Sequence, residues 1–346
     1  NFYTLAKNLC MSQFISVFDM LKIGVGPSSS HTLGPWRAAQ LWIKKLNLEI
    51  ITDAITHIQV DLYGSLSLTG KGHATDLAVL LGLSGTDPEF VPIEAIDSII
   101  SNIKNTGTLK LNGLDEVPYS ENTIAFNKDF LPFHSNGITF TAYHDSKILS
   151  KETYYSIGGG FIVQEEDNLE DDIEISKQNF PYPINRAKQL EEYCEQENKS
   201  ISDIVFKNEL ELKSADEIDF ELRRIWDTML ECMYIGCHTD GVLPGGLSVK
   251  RRALTMHNKL IKDGLYLNEN EWISTIRNTE VKFREILKWV SCFALSVNEV
   301  NASLGRVVTA PTNGSAGVIP AVLMYYLVIE NHDADFNDIK KFLLTA

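Results

Sequence analysis

The segment from Gly24 to Thr32 gathers residue types that bind small anions. It reads GVGPSSSHT, in which a glycine and proline turn is followed by four hydroxyl groups and one imidazole, just before a predicted helix. Backbone donors at a helix N-terminus and nearby hydroxyls favour a carboxylate or a phosphate. Serine also caps helices routinely, so the alternative is an elaborate cap. Three consecutive serines followed by His31 and Thr32 exceed what a cap requires, which favours an anion site.

A second chemically rich segment runs from Tyr63 to Asp76 and reads YGSLSLTGKGHATD. It is not a nucleotide-binding phosphate loop, because five residues rather than four separate its outer glycines and Gly72 follows the lysine in place of Ser or Thr. What remains is a glycine-rich turn that presents Lys71, His73 and Thr75 beside a helix start. An unperturbed imidazole suits proton transfer near neutral pH. A lone histidine is more often structural, so both roles for His73 stay open.

Glycine-rich and polar stretches elsewhere add candidates. The glycines at 158–160 and within 241–247 permit close backbone approach to a ligand or to a partner domain. A polar loop ahead of an apolar helix carries Arg306 and Asn313. Arg306 could bind a carboxylate through two hydrogen bonds, or it could pair with Glu299 one turn earlier. The spacing alone does not choose between these two roles.

The cysteines do not form a metal-binding pattern. Cys232 and Cys237 are separated by four residues, and Cys292 lies far downstream. No pair is separated by two residues, and no third ligand is close enough for a ferredoxin-type site. Cys194, Cys232 and Cys292 lie among apolar neighbours, where a free cysteine behaves as a small hydrophobic residue. We therefore predict no metal ligands in this chain.

The elements that must position these residues differ between the two halves of the chain. In the N-terminal half, apolar residues alternate over 57–63 and 137–143, and a third strand region spans 153–163. Helical spacing appears over 36–46 and 76–83. We therefore predict an α+β domain over residues 13–164.

The C-terminal half is predicted to be all-α. Seven acids and no base lie between Glu165 and Glu174, which predicts an acidic linker over 165–182. A capping box starts at Ser214, where a hydroxyl and the carboxylate three residues later satisfy backbone donors. The regions with helical spacing are 184–197, the stretch that follows Ser214, 250–263, 279–298 and 317–330. The predicted helical domain covers 183–346.

Both ends of the sequence carry expectations of their own. Met11 is a more plausible start than Asn1, so residues 1–12 are predicted to be a leader that precedes the folded domains. The last segment, Asp335 to Ala346, has helical spacing and stops without a capping signal. We therefore expect the helical domain to be incomplete.

The composition excludes several classes of protein. A length of 346 residues suits about two domains, and 44% hydrophobic with 22% charged residues is typical of a globular protein. The net charge of −15 argues against nucleic-acid partners and anionic membranes. No window approaches ~18 uncharged apolar residues, so no membrane span is expected. Five scattered cysteines favour the reducing cytoplasm.

Taken together, the motifs resemble the bacterial iron–sulfur L-serine dehydratases. The resemblance extends from about residue 15 to the last residue. The matching motifs, in order, are SVFDM at 16–20, GPSSSHT at 26–32, YGSLSLTGKGH at 63–73, YYSIGGGF at 154–161, GVLPG at 241–245 and VVTAPTNG at 307–314.

The resemblance implies a β domain, similar to the allosteric substrate-binding domain of some phosphoglycerate dehydrogenases, followed by a helical α domain. It also implies conversion of L-serine to pyruvate and ammonia on a [4Fe-4S] cluster, in which an open iron acts as a Lewis acid. By position, His73 is the candidate base, with Thr75 beside it. The substrate-binding residues implied by the resemblance are Ser28, Ser29, Ser30, His31, Thr32, Lys71 and Asn313.

One departure from the family pattern affects the expected activity. The family's cluster cysteines lie in motifs after the helix that closes this sequence, and this chain contains none of them. We therefore expect an L-serine ammonia-lyase by ancestry, with impaired activity. The alternatives are a non-catalytic serine-binding or regulatory module and a truncated gene fragment. A homodimer is also expected.

Overall fold

The structure is a computed structural model that describes residues 14–49, 55–112, 115–164 and 180–346. The predicted leader and the acidic run of the predicted linker lie outside the described residues. The strands of the described chain are β1 (Ile23–Val25), β2 (His57–Leu62), β3 (Thr108–Leu111), β4 (Asp115–Pro118), β5 (Ile124–Phe126), β6 (Gly137–His144), β7 (Lys147–Gly158), β8 (Phe161–Gln164) and β9 (Arg306–Val308).

The α-helices of the same residues divide into five in the N-terminal half and eight in the C-terminal half. They are α1 (Val17–Met20), α2 (Gly34–Glu49), α3 (Gly64–Thr69), α4 (Thr75–Leu83), α5 (Ile93–Thr106), α6 (Ala187–Glu197), α7 (Ile201–Glu209), α8 (Ala215–His238), α9 (Ala253–Ile261), α10 (Glu269–Arg277), α11 (Phe283–Asn301), α12 (Val318–Tyr325) and α13 (Phe336–Thr345).

The N-terminal half is built on a five-stranded sheet in the order β5-β2-β6-β7-β8. Strand β2 pairs in parallel with β5, and the other neighbours are antiparallel. Every second side chain of β2 is buried, because alternate residues of a strand face the same side of the sheet. Helix α2 packs against β7 and α4, and its Trp42 stacks on Phe140 of β6 with ring centroids 5.1 Å apart. This arrangement confirms the α+β prediction.

The C-terminal half is helical, as predicted, and its axis is the long helix α8. That helix begins at the predicted capping box, in which the Glu217 N–H donates to the Ser214 hydroxyl at 3.3 Å and the Ser214 N–H donates to the Glu217 carboxylate at 2.8 Å. Aromatic and sulfur-containing side chains fill the core around α8 and α11. They include Trp226, Met233, Trp272, Trp289 and Phe293.

The two halves are joined by more than a linker. Strand β1, from the start of the chain, pairs with β9 from the helical half. Val17, Leu21 and Ile23 pack in the hydrophobic core of the helical half. The buried Glu209 carboxylate accepts hydrogen bonds from the Ser16 hydroxyl at 2.9 Å and from the Val17 N–H at 2.7 Å. Burial raises the pKa of Glu209.

One described stretch, Asn313–Glu330, has the length and mean hydropathy, 1.2, of a membrane-spanning helix. Half of it is buried inside the protein. The core helix of a soluble protein meets the same criteria of length and composition, because a helix that is apolar on most sides is also one that a protein interior accommodates. The stretch is therefore weak support for a membrane span.

Candidate functional site

The GPSSSHT segment forms one wide turn that leads directly into helix α2. Residues Ser29–Leu33 are π-helical, and Ser28 caps them from an extended conformation. The Ser28 hydroxyl accepts from the His31 N–H at 3.1 Å, while the Ser28 N–H donates to the Thr32 hydroxyl at 3.2 Å. Ser28 is therefore a cap, as the alternative interpretation predicts, and the anion site stays a prediction. Ser29 and Thr32 are buried, and Ser30 is half-buried.

The structure brings the two sequence segments together. The His31 and His73 rings lie with their centroids 4.8 Å apart. The buried Thr32 hydroxyl donates to the His73 carbonyl at 2.8 Å, and the buried Thr75 hydroxyl donates to the His31 carbonyl at 2.6 Å. These reciprocal hydrogen bonds fix the backbone beneath both imidazoles. Thr75 therefore positions His31 through the main chain.

Hydroxyl groups lie against both nitrogens of His31. The Nδ1 atom is 2.9 Å from the Ser30 hydroxyl, and the Nε2 atom is 2.9 Å from the Ser65 hydroxyl. Burial lowers the pKa of His31, and the neighbouring His73 lowers it further, whereas a hydrogen bond with Ser65 acts in the opposite direction. The neutral imidazole is thus favoured near neutral pH.

His73 has a defined tautomer. Its Nδ1 atom is 3.0 Å from the Thr69 carbonyl oxygen, which can only accept a hydrogen bond. In the neutral ring, Nδ1 therefore carries the hydrogen and the lone pair is on Nε2, as a general base requires. Lys71, from the same turn, is exposed, and its ammonium lies 5.4 Å from the centre of the Phe126 ring.

Asn313 reaches the serine turn through one intervening residue. Its Nδ2 donates to the Asn301 Oδ1 at 3.0 Å, and the Asn301 Nδ2 donates to the Pro27 carbonyl at 3.0 Å. A Cβ at Gly26 would lie 2.1 Å from the Asn301 backbone oxygen, so only glycine permits this approach. The Asn313 side-chain oxygen is buried without a hydrogen-bond partner among the described residues. An unpaired buried acceptor of this kind suits a ligand donor.

Two further polar groups lie beside this turn, and the sequence predicted a specific role for neither. The Asn136 Nδ2 donates to the Ser156 carbonyl at 3.0 Å, and both residues are buried. Within the described residues, the Asn136 Oδ1 and the Ser156 hydroxyl have no hydrogen-bond partner. Gly34 lies against this serine, where a Cβ would come within 2.0 Å of its hydroxyl oxygen. Ser156 belongs to the YYSIGGGF motif, whereas no local signal distinguishes Asn136.

Arg306 lies at the junction of the two halves. It donates from Nη2 to the Val91 carbonyl of the N-terminal half, and its buried Nε has no partner among the described residues. Glu299 instead accepts from the Arg252 N–H at 2.6 Å. Pairing of Arg306 with Glu299 is therefore wrong, because main-chain donors at the start of α9 already occupy that carboxylate.

The described cysteines do not fit an iron–sulfur cluster. In that part of the chain no three His, Cys, Asp or Glu side chains lie close enough to hold a metal ion. Cys237 and Cys292 are 3.9 Å apart at sulfur, and burial raises the pKa of Cys237 and of Cys232. Because thiolates are the metal ligands, these buried thiols are poor candidates.

Models of known protein families match both halves of the chain. A family model described as serine dehydratase beta chain matches residues 16–167, and one described as serine dehydratase alpha chain matches residues 196–346. This chain belongs to the L-serine dehydratase family. The first match ends at residue 167 and the second begins at residue 196, and they correspond to the sheet-based and helical halves of the fold.

The similar proteins are bacterial. The chain is 43% identical to L-serine dehydratase 1 of Escherichia coli over 90% of its own length and 66% of the relative. It is 41% identical to L-serine dehydratase 2 of the same organism and 40% identical to the L-serine dehydratase of Streptomyces coelicolor, in each case over 96% of its length and 70% of the relative. The chain thus spans about two thirds of the length of these curated relatives.

Proposed function

We propose that this chain binds L-serine between the Ser28–Thr32 turn and His73, and that it acts in the conversion of L-serine to pyruvate and ammonia. The observation that carries the proposal is the pair of imidazoles, 4.8 Å apart, at a helix start lined by serine hydroxyls. The names of the similar proteins supply the substrate and the reaction. Membership of their family supports carrying both over to this chain.

The chain's own residues divide the tasks by chemistry. The serine hydroxyls of the Ser28–Thr32 turn suit the substrate carboxylate. The free Nε2 of His73 suits removal of the α-proton, and neutral His31 suits a hydrogen bond to the substrate. The unpaired Asn313 oxygen is an acceptor for the substrate ammonium. Lys71 stays a predicted substrate-binding residue, and its exposed ammonium would attract the substrate carboxylate.

The family resemblance implies a [4Fe-4S] cluster, but the described residues offer no ligand set for it. We therefore assign no step of the reaction to such a group. Four described cysteines are free thiols, which supports the proposal that the chain works in the reducing cytoplasm.

Two measurements on the full chain test the proposal. Isothermal titration with L-serine should give saturable heat. Pyruvate formation should depend on L-serine and be slow, because the described residues offer no ligand set for the family's cluster. His73→Gln should abolish pyruvate formation while L-serine affinity changes less than tenfold, because the side chain is proposed to act on the α-proton. His332→Gln is the matched control, since that histidine is exposed in the helical half.

The outcomes separate the two candidate functions. Saturable L-serine binding without pyruvate formation would favour the non-catalytic serine-binding module over the lyase. The absence of L-serine binding at millimolar concentration would remove both candidates. Equal pyruvate formation by the wild type and His73→Gln would remove His73 as the base.

A further inference from the structure

A cavity of about 330 Å³ lies between the two halves, away from the imidazole pair. Its walls come from the start of the chain, from helix α2 and the loop before α5, and from helix α8. The volume is within the range of small-molecule sites. Phe18, Leu21, Ile23 and Ile225 supply its apolar lining.

The cavity is positively charged in a protein whose net charge is −15. Four cations line it, Lys22, Arg37, Lys213 and Arg224, against three carboxylates, Asp19, Glu89 and Glu221. The lining thus carries one positive charge in excess, and Asp87, outside the lining, acts on Arg37 electrostatically. A cavity with such walls attracts small anions.

The carboxylates of the cavity are already paired, and these pairs leave one cation over. Glu89 forms a salt bridge with Arg224 across the two halves, and Glu221 forms one with Lys213. Asp19, which is half exposed, lies 3.6 Å from the Lys22 ammonium. Arg37 forms no salt bridge within the described ranges of the chain.

Most of the N–H donors of Arg37 have no hydrogen-bond partner among the described residues. Its one hydrogen bond in the described structure runs from Nη1 to the Gly160 carbonyl at 3.5 Å. A guanidinium has five N–H donors in a planar fork. Burial lowers the pKa of Arg37 and of the neighbouring Lys22, whose side chain is only 11% exposed. An anion between them would relieve the cost of holding two cations away from water.

We propose that this cavity is a second binding site, for a small carboxylate, with Arg37 and Lys22 as its ligands. The planar guanidinium matches a carboxylate through two parallel hydrogen bonds. The Lys22 ammonium, which lies 3.4 Å from the centre of the Phe161 ring and 3.6 Å from Asp19, supplies a second charge. The apolar lining suits the short carbon chain of such an acid. The site goes beyond the proposed reaction, since none of its residues belongs to the imidazole pair.

Isothermal titration of the full chain with sodium pyruvate at constant ionic strength tests the site. We expect saturable binding to the wild type and at least tenfold weaker binding to Arg37→Met. Arg37→Lys should recover part of the affinity, because the charge remains and the fork is lost. Lys44→Met, which removes an exposed charge from the same helix, should bind like the wild type.

Two results would overturn the site. One is an equal pyruvate affinity in the wild type and in Arg37→Met, with the variant's unfolding midpoint unchanged. The other is binding of inorganic phosphate under the same conditions with no binding of pyruvate. L-serine titration of Arg37→Met separates this inference from the proposed function, since the variant should keep the wild-type L-serine affinity.

Discussion

His31 and His73 owe their positions to hydroxyl groups. Thr32 and Thr75 hold the backbone of one histidine to the other, while Ser30 and Ser65 contact the His31 ring. The sequence revealed His31 because its partners Ser28 and Ser30 are local. Its contact with Ser65 joins residues 34 positions apart, which no spacing rule predicts.

The Ser65 hydroxyl should matter for turnover. Ser65→Ala removes the group that lies against the His31 Nε2, so the ring loses its orientation. We expect kcat/KM for pyruvate formation to fall roughly tenfold. This factor corresponds to the loss of one hydrogen bond that contributes about 1.4 kcal/mol. Ser67→Ala, on the same helix, is the control and should keep the wild-type value. Equal kinetics for the two variants would contradict a positioning role for Ser65.

The Thr75 hydroxyl should matter for stability. Thr75→Val keeps the shape but leaves the His31 carbonyl without this donor, so we expect a loss of about 1–2 kcal/mol in the free energy of unfolding. Urea denaturation measures it. Thr69→Val removes an exposed hydroxyl that donates to the Ser65 carbonyl, and it should cost less than about 0.5 kcal/mol. A smaller loss of unfolding free energy for Thr75→Val than for Thr69→Val would show that the Thr75 hydrogen bond to the His31 carbonyl does not stabilise the fold.

At the scale of elements, the long periodic segments were predictable and the short ones were not. Strand β2 and helix α2 could be predicted because they are long, with six and sixteen residues. Their apolar residues recur with the spacing of a strand and of a helix. Strands β1 and β9 have three residues each, too few to show alternation. Helix α5 was missed although Ile96, Ile100 and Ile103 carry helical spacing, so a signal was present there.

The start of helix α2 depends on a close contact with the sheet. Gly34→Ala would place a methyl group 2.0 Å from the Ser156 hydroxyl oxygen, so we expect a loss of about 1–3 kcal/mol in unfolding free energy. Thermal unfolding measures the loss, and the double variant with Ser156→Gly should recover part of it. Gly72→Ala is the control, because no atom lies within 4 Å of its Cβ position. An unchanged thermal unfolding midpoint for Gly34→Ala would contradict this prediction, because it would mean that the neighbouring atoms accommodate the methyl group without loss of stability.

At the scale of the molecule, the spacing of apolar residues predicted the α+β and all-α halves, and the order of the motifs indicated the family. Composition could not show that residues near the start of the chain pack into the helical core. The β1–β9 pairing joins segments more than 280 residues apart, and such pairing depends on the three-dimensional fold alone. For the same reason, the cavity between the two halves could not be predicted from the sequence.

The helical core should lose stability in acid through His257. Its Nε2 accepts the Trp272 N–H at 2.9 Å, and burial lowers its pKa to about 4. Because the unfolded chain binds this proton more readily, the contribution is present above pH ~6.5 and is lost as pH falls. Between pH 7 and pH 5, the wild type should lose ~2 kcal/mol more unfolding free energy than His257→Gln.

Urea denaturation at several pH values measures this difference, with His332→Gln as the exposed control. The control should follow the wild-type curve. Parallel curves for the wild type and His257→Gln would mean that His257 titrates alike in the folded and unfolded chains.

The central claim is that L-serine binds between the Ser28–Thr32 turn and His73. Imidazole nitrogen resonances, followed by NMR during an L-serine titration of the full chain, test it most directly. The resonances of His31 and His73 should shift together and saturate, while those of the exposed His144 and His332 stay constant. Unmoved resonances of His31 and His73 at saturating L-serine would contradict the claim.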